Sequence, residues 1–423
     1  MVRMEHTTCC IVGGGPAGMM LGLLLARAGV EVRVLEKHGD FLRDFRGDTV
    51  HPSTMRLLDD LGLGEQFAAL PQSHLETVAL PVDAQQTMFT VGDFRRLRGT
   101  HRYIAMVPQW NLLSLLARAA EAEPTFTLLM DTEVTGLLRE GGAGTRVTGV
   151  RYRDADGAPH DLGADLVVAA DGRTSVARRE ADLTVHEYAC PLDAWWFRLP
   201  RRDGDPQGAL LPRVGRGRMA ILIPREGYFQ IAYIGRKGTD AALRARGIEA
   251  FRADVADLVP ALADRVDTLA SMDDVKWLDV RLNRLRRWWV DGLLCIGDAA
   301  HAMSPVGGVG INLAVQDAVA TATLLAEPLR RRRVGPRQLR AVQRRRVVAT
   351  RLVQGLQRAM HKGLVEPALE GRLDGPPAAL LAVLRRVPQV STVPAYLIGV
   401  GFRPEHVPPY ARRAAEPATS VRS

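Results

Sequence analysis

Residues 7–18 decide the fold, and they read Thr7-Thr8-Cys9-Cys10-Ile11-Val12-Gly13-Gly14-Gly15-Pro16-Ala17-Gly18. An apolar, β-prone run leads into a Gly-x-Gly-x-x-Gly turn, and leucines at helical spacing follow until Gly29. A second β-prone run then ends at Glu36. This order of strand, glycine turn, helix and strand predicts a βαβ unit that binds a dinucleotide.

Each part of this unit has a physical role in holding such a ligand. The predicted phosphate site consists of Gly13, Gly15, Pro16, Ala17 and Gly18. The glycines permit a tight turn, close approach of a pyrophosphate and close packing of helix on strand, and the helix start stabilises phosphate charge. Glu36, followed by Lys37, lies where ribose hydroxyls need an acceptor, and an acid there disfavours a 2′-phosphate. This unit alone does not distinguish NAD from FAD.

The composition indicates a globular protein of two or three domains, with 423 residues of which 47% are apolar and 24% charged. Its net charge of +9 comes from arginine, because the lysines are only Lys37, Lys237, Lys276 and Lys362. Arginines are dense at 330–333 and 344–346, but no aromatic residues are interleaved there for base stacking. A solvated helix face is therefore predicted at both places, and no nucleic-acid site.

The cysteines and the chain start bear on the compartment. Cys9, Cys10, Cys190 and Cys295 show no metal-ligand spacing, and three of them lie in apolar β-prone runs, so we expect buried free thiols and no metal site. No apolar signal-peptide region precedes the first strand, and no apolar run approaches the roughly 18 residues of a membrane span. A cytoplasmic protein without a spanning segment is predicted.

Two candidate cofactor residues lie between the first unit and the middle of the chain. Arg46, in a polar loop, is suited to pair with phosphate or a nucleotide ring, and equally to lie on the surface. Gln109 directly precedes a clear helix, where it would either bond a cofactor or cap the helix. The same region contains His51, at the start of another predicted helix.

The middle of the chain reads as consecutive strands. The run 165–170 is apolar throughout, which is typical of a strand buried on both faces. It ends in Asp171-Gly172, at the strand end where open α/β sheets bind ligands. Residues 190–236 then predict an antiparallel meander, with one face buried and the other free to form a pocket floor. Alternation places Tyr228 and Gln230 on one face, and Phe229 and Tyr233 on the other.

A second diagnostic stretch covers residues 292–312. It begins as a buried strand that ends at Gly297-Asp298, continues as a loop rich in proline and glycine, and becomes a helix from about Val309 through Leu325. Residues 335–423 are helical and arginine-rich, then rich in proline. The apolar run 393–402 is short and contains a proline, so we expect a helix docked on the core.

Taken together, the Gly13–Gly18 turn with Glu36, Asp171-Gly172 and the 297–312 stretch resemble the flavoprotein monooxygenases of the para-hydroxybenzoate hydroxylase type. These are single-component, FAD-dependent aromatic hydroxylases (group A). The resemblance covers most of residues 5–330 in layout, and only loosely the C-terminal 90 or so.

The resemblance implies an α/β fold with a Rossmann-like FAD-binding domain, an inserted, mainly antiparallel β-sheet substrate domain and a helical C-terminal segment. We assign residues 1–74, 101–183 and 281–334 to the first, 75–100 and 184–280 to the second, and 335–423 to the third.

The resemblance also implies FAD as cofactor and NADH or NADPH as a transient reductant. Glu36 would hold the adenosine ribose, Arg46 and Gln109 would contact FAD, and Asp298 would bind the ribityl chain beside Gly297. Asp171-Gly172 would lie near the pyrophosphate and the nicotinamide site. The loop along the isoalloxazine edge would consist of Pro305, Gly307, Gly308, Val309, Gly310, Ile311 and Asn312. Amides of Gly307, Gly308 and Val309 would face flavin N1/O2, where a helix start stabilises negative charge by about 0.3–2 kcal/mol.

The implied reaction is hydroxylation of a phenolic or polycyclic aromatic substrate by O2, through a flavin C4a-hydroperoxide, in an oriented and dry pocket. A base that deprotonates a phenol would make the ring more nucleophilic. Candidate substrate or base residues are His51, Tyr103, Arg225, Tyr228 and Tyr233, with Pro305, Gly307 and Gly308 as loop residues at the reacting ring. His301 is predicted to be structural.

Several alternatives stay open. Epoxidation, Baeyer–Villiger oxygenation and two-component oxygenation use the same flavin chemistry. Flavin halogenases share the fold, but Trp195-Trp196-Phe197-Arg198-Leu199-Pro200 departs from their Trp-x-Trp-x-Ile-Pro motif, and no lysine lies between Lys37 and Lys237. A non-catalytic module that binds an apolar partner, like the prenyl-protein escort proteins, and an NAD-only dehydrogenase are further alternatives.

Overall fold

The computed structural model describes residues 4–42, 49–81, 88–140, 146–205, 210–215, 217–372 and 386–414. In these ranges the strands are β1 (Glu5–Val12), β2 (Val32–Leu35), β3 (Thr49–Val50), β4 (Ser73–Leu75), β5 (Thr77–Pro81), β6 (Met88–Asp93), β7 (Ile104–Met106), β8 (Phe126–Leu129), β9 (Glu133–Glu140), β10 (Arg146–Arg153), β11 (Pro159–Ala169), β12 (Val185–Tyr188), β13 (Leu192–Pro200), β14 (Leu211–Gly215), β15 (Arg218–Pro224), β16 (Tyr228–Arg236), β17 (Lys276–Leu278), β18 (Leu282–Leu285), β19 (Trp289–Val290) and β20 (Leu293–Cys295).

The α-helices of the same ranges are α1 (Pro16–Arg27), α2 (Pro52–Asp60), α3 (Gly64–Ala68), α4 (Gln109–Glu121), α5 (Val176–Glu180), α6 (Asp240–Ala245), α7 (Gly247–Leu258), α8 (Gly310–Arg330), α9 (Pro336–Met360), α10 (Glu366–Leu369) and α11 (Thr392–Gly399). Short 3-10 turns cover Phe94–Arg96, Pro260–Thr268, Met272–Asp274, Gly297–Ala299, Pro388–Ser391 and Pro409–Ala411, and a π-helical turn covers His361–Val365. None of these described helices combines the length and apolarity that a bilayer span requires.

A mostly parallel sheet positions the first two motifs. Its strand order is β19-β20-β11-β1-β2-β8, and β20, β11, β1, β2 and β8 run parallel. A β9–β10 hairpin adds antiparallel strands beside the first half of β11. Because parallel strands end at the same edge, Gly13, Glu36, Asp171 and Gly297 all follow strands at one edge of the sheet.

The glycine turn is required by close packing of α1 on β1. Gly13 has φ +101°, and a Cβ there would lie 2.6 Å from the Ala170 carbonyl oxygen. A Cβ on Gly18 would lie 2.0 Å from the Gly13 carbonyl oxygen. Both glycines are therefore fixed by the protein's own backbone, which is the packing that the sequence predicts for the first and last glycines of the motif.

A five-stranded antiparallel sheet, in the order β14-β15-β16-β13-β17, forms the second layer. One face is covered by helices, with Trp195 and Phe197 packed against Phe251 of α7. The other face, which includes Trp196 and Ile223, packs near the β4 and β7 strands and α11. We refer to these as the outer and inner faces of the antiparallel sheet. The predicted fold class is thereby confirmed, whereas the domain boundaries stay a prediction.

Two local predictions need adjustment. Helix α8 continues to Arg330 instead of ending at Leu325, although Pro328 lies inside its last turn. Leu329 is buried in the main core, so packing holds this turn despite the hydrogen bond that proline removes. The strand-like residues 276–290 form three short strands, β17 to β19, that belong to different sheets. Cys9, Cys10 and Cys295 are buried free thiols, as predicted.

Replacing Gly18 by alanine should lower the free energy of unfolding by about 3 kcal/mol or more, because a buried overlap with backbone has no side chain that can move aside. Gly355→Ala is the matched control: a Cβ at this exposed position in α9 meets nothing within 4 Å. It should stabilise by about 0.5–1 kcal/mol through helix propensity. Denaturant unfolding of both variants measures the difference, and equal effects would contradict this packing.

Candidate active site

Three segments far apart in sequence meet at the carboxyl edge of the parallel sheet. A Cβ built on Gly297 would lie 3.3 Å from the Ala17 Cβ of α1 and 3.2 Å from the Ala314 Cβ of α8. Thr49 donates a 2.7 Å hydrogen bond to the Gly308 carbonyl, which joins β3 to the loop before α8. The starts of α1 and α8 thus both lie next to the Gly297-Asp298 turn, and we refer to the space beside them at this edge of the sheet as the cleft.

Glu36 lies at the end of β2 with only 2% of its surface exposed. Its carboxylate accepts hydrogen bonds from the Gly14 amide at 2.7 Å and from the His38 amide at 3.1 Å. The acid therefore holds the glycine turn in place. Lys37, beside it, is exposed.

Asp171 makes its described contacts within the protein. Its carboxylate accepts hydrogen bonds from the Val176 and Ala177 amides at 2.8 and 3.4 Å, at the start of α5. Burial raises the pKa of Asp171, and the hydrogen bonds that it accepts, including one from Ser175, act in the opposite direction. The residue thereby fixes the turn at Gly172, whose φ is +81°.

Arg173, next in the chain, is a site residue that the sequence reasoning missed. Its guanidinium donates to the Asp298 carboxylate at 3.1 Å, and the two side chains are 25% and 30% exposed. The pair links the turn after β11 to the turn after β20. The position of Arg173 directly after Asp171-Gly172 was the available sequence signal.

The loop before α8 contains two residues in the left-handed region, Gly307 with φ +83° and Gly308 with φ +63°. The Gly308 amide donates to the Pro305 carbonyl at 2.9 Å, so this amide, which we expected to face a flavin, is used inside the turn. Helix α8 begins at Gly310. The amides without an intrahelical acceptor at this helix start are those of Gly310, Ile311 and Asn312.

The side chain of Asn312 locks this loop to the neighbouring elements. Its Oδ1 accepts hydrogen bonds from the His51 amide at 2.9 Å and the Thr54 hydroxyl at 2.7 Å. Its Nδ2 donates to the carbonyls of Thr49 and Gly308 at 3.3 and 3.4 Å. Both the oxygen and the nitrogen of the Asn312 side chain are therefore hydrogen-bonded within the protein. Of this residue, only the backbone amide is left for a ligand at the start of α8.

His51 is completely buried between the loop and α11. Its Nδ1 lies 2.7 Å from the Ile398 carbonyl, which assigns the proton to that nitrogen. Burial lowers the pKa of His51 to about 4, although hydrogen bonding to the backbone of Ile398 and Gly308 acts in the opposite direction. The imidazole is therefore neutral at pH 7 and positioned as a structural link.

The remaining base candidates occupy different places. Tyr103 stacks on His74 of β4 with ring centroids 3.7 Å apart, so it does not belong to the antiparallel sheet. Tyr233 lies on the outer face, in the cluster with Trp195 and Phe251, and burial raises its pKa to about 12. Tyr228 lies on the inner-face side, with the Arg198 guanidinium 5.0 Å from its ring centroid.

Arg225 connects the antiparallel sheet to the end of β7. It is 8% exposed, and its guanidinium donates to the Met106 carbonyl at 2.8 Å and to Gln230 at 3.4 Å. Met106 ends β7, three residues before Gln109. Gln109 is half-buried at the start of α4 and makes no capping hydrogen bond, so its alternative role as a helix cap is not seen.

Trp196 on the inner face is a second residue that sequence reasoning missed. The neighbouring Trp195 points to the outer face, where its indole N–H donates to Asp240 at 2.8 Å. The Trp196 indole nitrogen is buried and has no acceptor among the described residues. Strand alternation predicts that Trp195 and Trp196 point to opposite faces of the sheet. It does not decide which of the two residues lies on the inner face.

Asp317 of α8 stabilises the Gly297-Asp298 turn from behind. Its fully buried carboxylate accepts from the Gly297 amide at 3.1 Å and from Arg346 at 2.8 Å, and lies 2.6 Å from His301 Nε2. Burial raises the pKa of Asp317, but the charges and hydrogen bonds of His301 and Arg346 outweigh it and the pKa is lowered. His301 is thus part of a structural network. Arg46 lies outside the described residues.

Two glycines at this edge of the sheet leave room for a dinucleotide. A Cβ on Gly15 or Gly310 would meet nothing within 4 Å, so neither glycine is demanded by the protein's own packing. Both lie at helix starts, where free amides and the helix dipole favour negative charge. The Glu36 carboxylate already accepts from the Gly14 and His38 amides, whereas the Asp298 carboxylate is 30% exposed and has room for a further donor.

These features define a dinucleotide-binding flavoprotein with a separate antiparallel sheet beside its cofactor cleft. The profile of the family described as FAD binding domain matches residues 6–355, and the chain belongs to this family.

Known relatives agree with this assignment. A 6-methylpretetramide 4-monooxygenase from Streptomyces rimosus is 36% identical over 403 residues, which cover 92% of this chain and 90% of that protein. A 12-dehydrotetracycline 5-monooxygenase/anhydrotetracycline 6-monooxygenase from Streptomyces rimosus subsp. rimosus is 29% identical over 336 residues, 73% of this chain and 60% of that protein. The chain is thus an FAD-dependent monooxygenase.

A solved structure supports the fold in three dimensions. The anhydrotetracycline hydroxylase from Streptomyces rimosus superimposes with a TM-score of 0.72 at 23% identity, covering 94% of this chain and 76% of that one.

His51 should make stability fall on acidification. Between its ordinary pKa of 6.5 and about 4, the unfolded chain binds a proton that the folded chain does not, so stability is lost as pH decreases through this window. The expected contribution is about 3 kcal/mol. His51→Asn keeps a donor for the Ile398 carbonyl but does not titrate, and should unfold with a correspondingly weaker dependence on pH. Denaturant midpoints from pH 4 to 7 measure this; parallel losses in both proteins would contradict it.

Proposed function

We propose that this chain hydroxylates a polycyclic phenol, using FAD, NADH or NADPH, and O2. The observation that carries the proposal is that the starts of α1 and α8 both lie beside the turn at Gly297, and we place the inner face of the antiparallel sheet as the wall next to them. A dinucleotide laid between the two helix starts would present its ring end to that wall.

In the proposed arrangement the pyrophosphate lies at the start of α1, beside Gly15, and Glu36 accepts from the adenosine ribose. Asp298, held by Arg173, accepts from the ribityl chain. The ring lies at the start of α8, where the 310–312 amides face its negatively charged edge after reduction. Gln109, whose side chain is not used as a helix cap, completes the ring side of the site.

Bound FAD would supply the redox chemistry, taking electrons from a nicotinamide and activating O2. The protein's residues orient the substrate and keep water out. His51 is neutral, fully buried and bonded to a carbonyl, which favours a positioning role over that of a base. Tyr228 and Arg225 remain the proposed substrate contacts from the antiparallel sheet.

Trp196 joins them as a proposed substrate donor. A buried N–H without a partner is unfavourable by about 1–3 kcal/mol, and an oxygen of the substrate would relieve this. A polycyclic phenol provides both the flat apolar surface that an indole packs against and the oxygen that its N–H needs. The relatives named for tetracycline-type compounds support this substrate class.

The positions and hydrogen bonds of the lysines favour oxygenation over halogenation. Lys237, the first lysine after Lys37, donates to the Asp193 carboxylate at 2.7 Å and to the Val280 carbonyl at 2.8 Å. Its side chain is therefore committed to holding the edge of the antiparallel sheet. In the first third of the sequence the lysine is Lys37, which directly follows Glu36 of the proposed ribose site and is therefore not placed as the active-site lysine of halogenases.

Gly15→Val should weaken FAD binding at least about tenfold while leaving the apoprotein's melting temperature almost unchanged. The reason is that the added side chain points into open space that the pyrophosphate would occupy, and Gly15 has ordinary extended dihedral angles that valine adopts. Titration of the apoprotein with FAD by fluorescence gives the affinity. An unchanged affinity would mean that the pyrophosphate lies elsewhere.

The reaction is tested by screening polycyclic phenols for stimulated NADH or NADPH oxidation and for products that gain one oxygen atom. We expect turnover with at least one such compound, and a KM about tenfold higher in Trp196→Phe, which removes the N–H together with part of the ring. Trp195→Phe is the matched control, because the Trp195 N–H donates to Asp240 on the outer face. This variant should be less stable than wild type but should have an unchanged KM. Equal KM values for wild type and Trp196→Phe would remove Trp196 from the substrate site.

A further inference from the structure

The buried side of helix α9 carries apolar residues such as Leu339 and Val342 and also a polar stripe, whereas the buried side of an ordinary amphipathic helix is mainly apolar. From its middle onward the stripe consists of Arg346, Thr350, Gln354 and Gln357, all buried, and it continues to His361 in the π-helical turn. The opposite side exposes Val348 and Leu352, at 42% and 45%. A buried polar side chain is tolerated when it satisfies other buried groups, so the partners of this stripe indicate what the helix does.

Gln357 binds the backbone immediately before the glycine loop. Its Oε1 accepts from the Ser304 amide at 3.2 Å, and its Nε2 donates to the Ser304 and Val306 carbonyls, each at 2.8 Å. One side chain thus satisfies three backbone groups of a segment that has no sheet partner. The next two residues, Gly307 and Gly308, have the positive φ angles that begin the turn into α8.

His361 holds the same segment from the next turn. Its Nε2 lies 2.9 Å from the Ser304 hydroxyl, and this hydroxyl accepts from the Val306 amide at 3.3 Å. The π-helical turn that begins at His361 is the kind of local distortion that is frequent at functional sites.

The upstream part of the stripe holds the rest of the path from Asp298 to the loop. Gln354 donates to the Asn283 carbonyl at 2.7 Å and to the Ala302 carbonyl at 3.5 Å. Arg346 donates to Asp317, which in turn accepts from the Gly297 amide. The stripe therefore follows the whole segment 297–306 from the side opposite the cleft.

We propose that Gln357 and His361 are positioning residues for the flavin ring, acting through Ser304 and Val306 on the 305–310 loop. This rests on the proposed placement of the ring at the start of α8. Glycines at 307, 308 and 310 leave the loop with few side-chain contacts of its own, so its conformation depends on what holds the residues before and after it. Asn312 holds the far end, and Gln357 with His361 holds the near end.

The experiment compares Gln357→Met with Gln343→Met in the full-length chain. Methionine keeps the length and helix propensity of glutamine and removes its hydrogen bonds. Gln343 is the matched control on the same helix, because it also bridges backbone groups, accepting from the Trp288 amide at 3.2 Å and donating to the Arg286 carbonyl at 2.9 Å, away from the loop. The measurements are apoprotein melting temperature, FAD affinity by fluorescence titration, and the visible spectrum of the bound flavin.

Both variants should melt at lower temperature, but only Gln357→Met should bind FAD about tenfold more weakly and shift the flavin absorption bands. Equal FAD affinity and identical flavin spectra in the two variants would overturn the proposal and leave Gln357 with a structural role alone.

His361 provides a second test if Gln357→Met does not fold. His361→Leu should weaken FAD binding, and His361→Gln, whose Nε2 occupies the position of the imidazole Nε2, should restore it. Failure of leucine to weaken binding, or of glutamine to restore it, would overturn the proposal. These readouts need no substrate and no NAD(P)H, so a failure of the proposed hydroxylation would leave them unaffected.

Discussion

The arrangement of the cleft depends on the hydrogen bonds and the ion pair made by the buried carboxylate of Asp317. A charge removed from water is strongly unfavourable unless it is paired and fully hydrogen-bonded. Asp317 meets this condition by accepting from Gly297, His301 and Arg346, groups that belong to the strand end, the following loop and the C-terminal helix. Removal of Arg346 would leave this negative charge without its guanidinium partner in the core. The position of Asp298, one residue after Gly297, is fixed by this charge balance.

The two sides of the cleft have different roles: one is available to bind a ligand, and the other holds the loops in place. On the ligand side it presents glycines and helix-start amides, which bind charge well but have no side chains to stabilise their own conformation. On the opposite side, amide side chains of Asn312 and Gln357 bind the same loops through several hydrogen bonds each. A flexible sequence thereby acquires a defined shape without placing bulk where a cofactor would lie.

The sequence predicted what local patterns encode. Residue spacing predicted the glycine turn, the motifs that follow the parallel strands and the Gly297-Asp298 turn. The structure brings all of them to one edge of the parallel sheet. Alternation separated the two faces of β16 but could not decide between them. That choice depends on α6 and α7, which cover the face with Tyr233, whereas the face with Trp196 packs near β4, β7 and α11. The partners of Gln357 and Arg173 depend on contacts distant in sequence, which no local pattern records.

The polar stripe of α9 also has a consequence for how the protein is made. Gln357 follows Ser304 by 53 residues, so β1, β2 and α8 are all synthesised before the side chain that holds the segment ahead of the glycine loop. A chain that terminated before Gln357 would therefore lack the hydrogen bonds that this side chain makes with Ser304 and Val306.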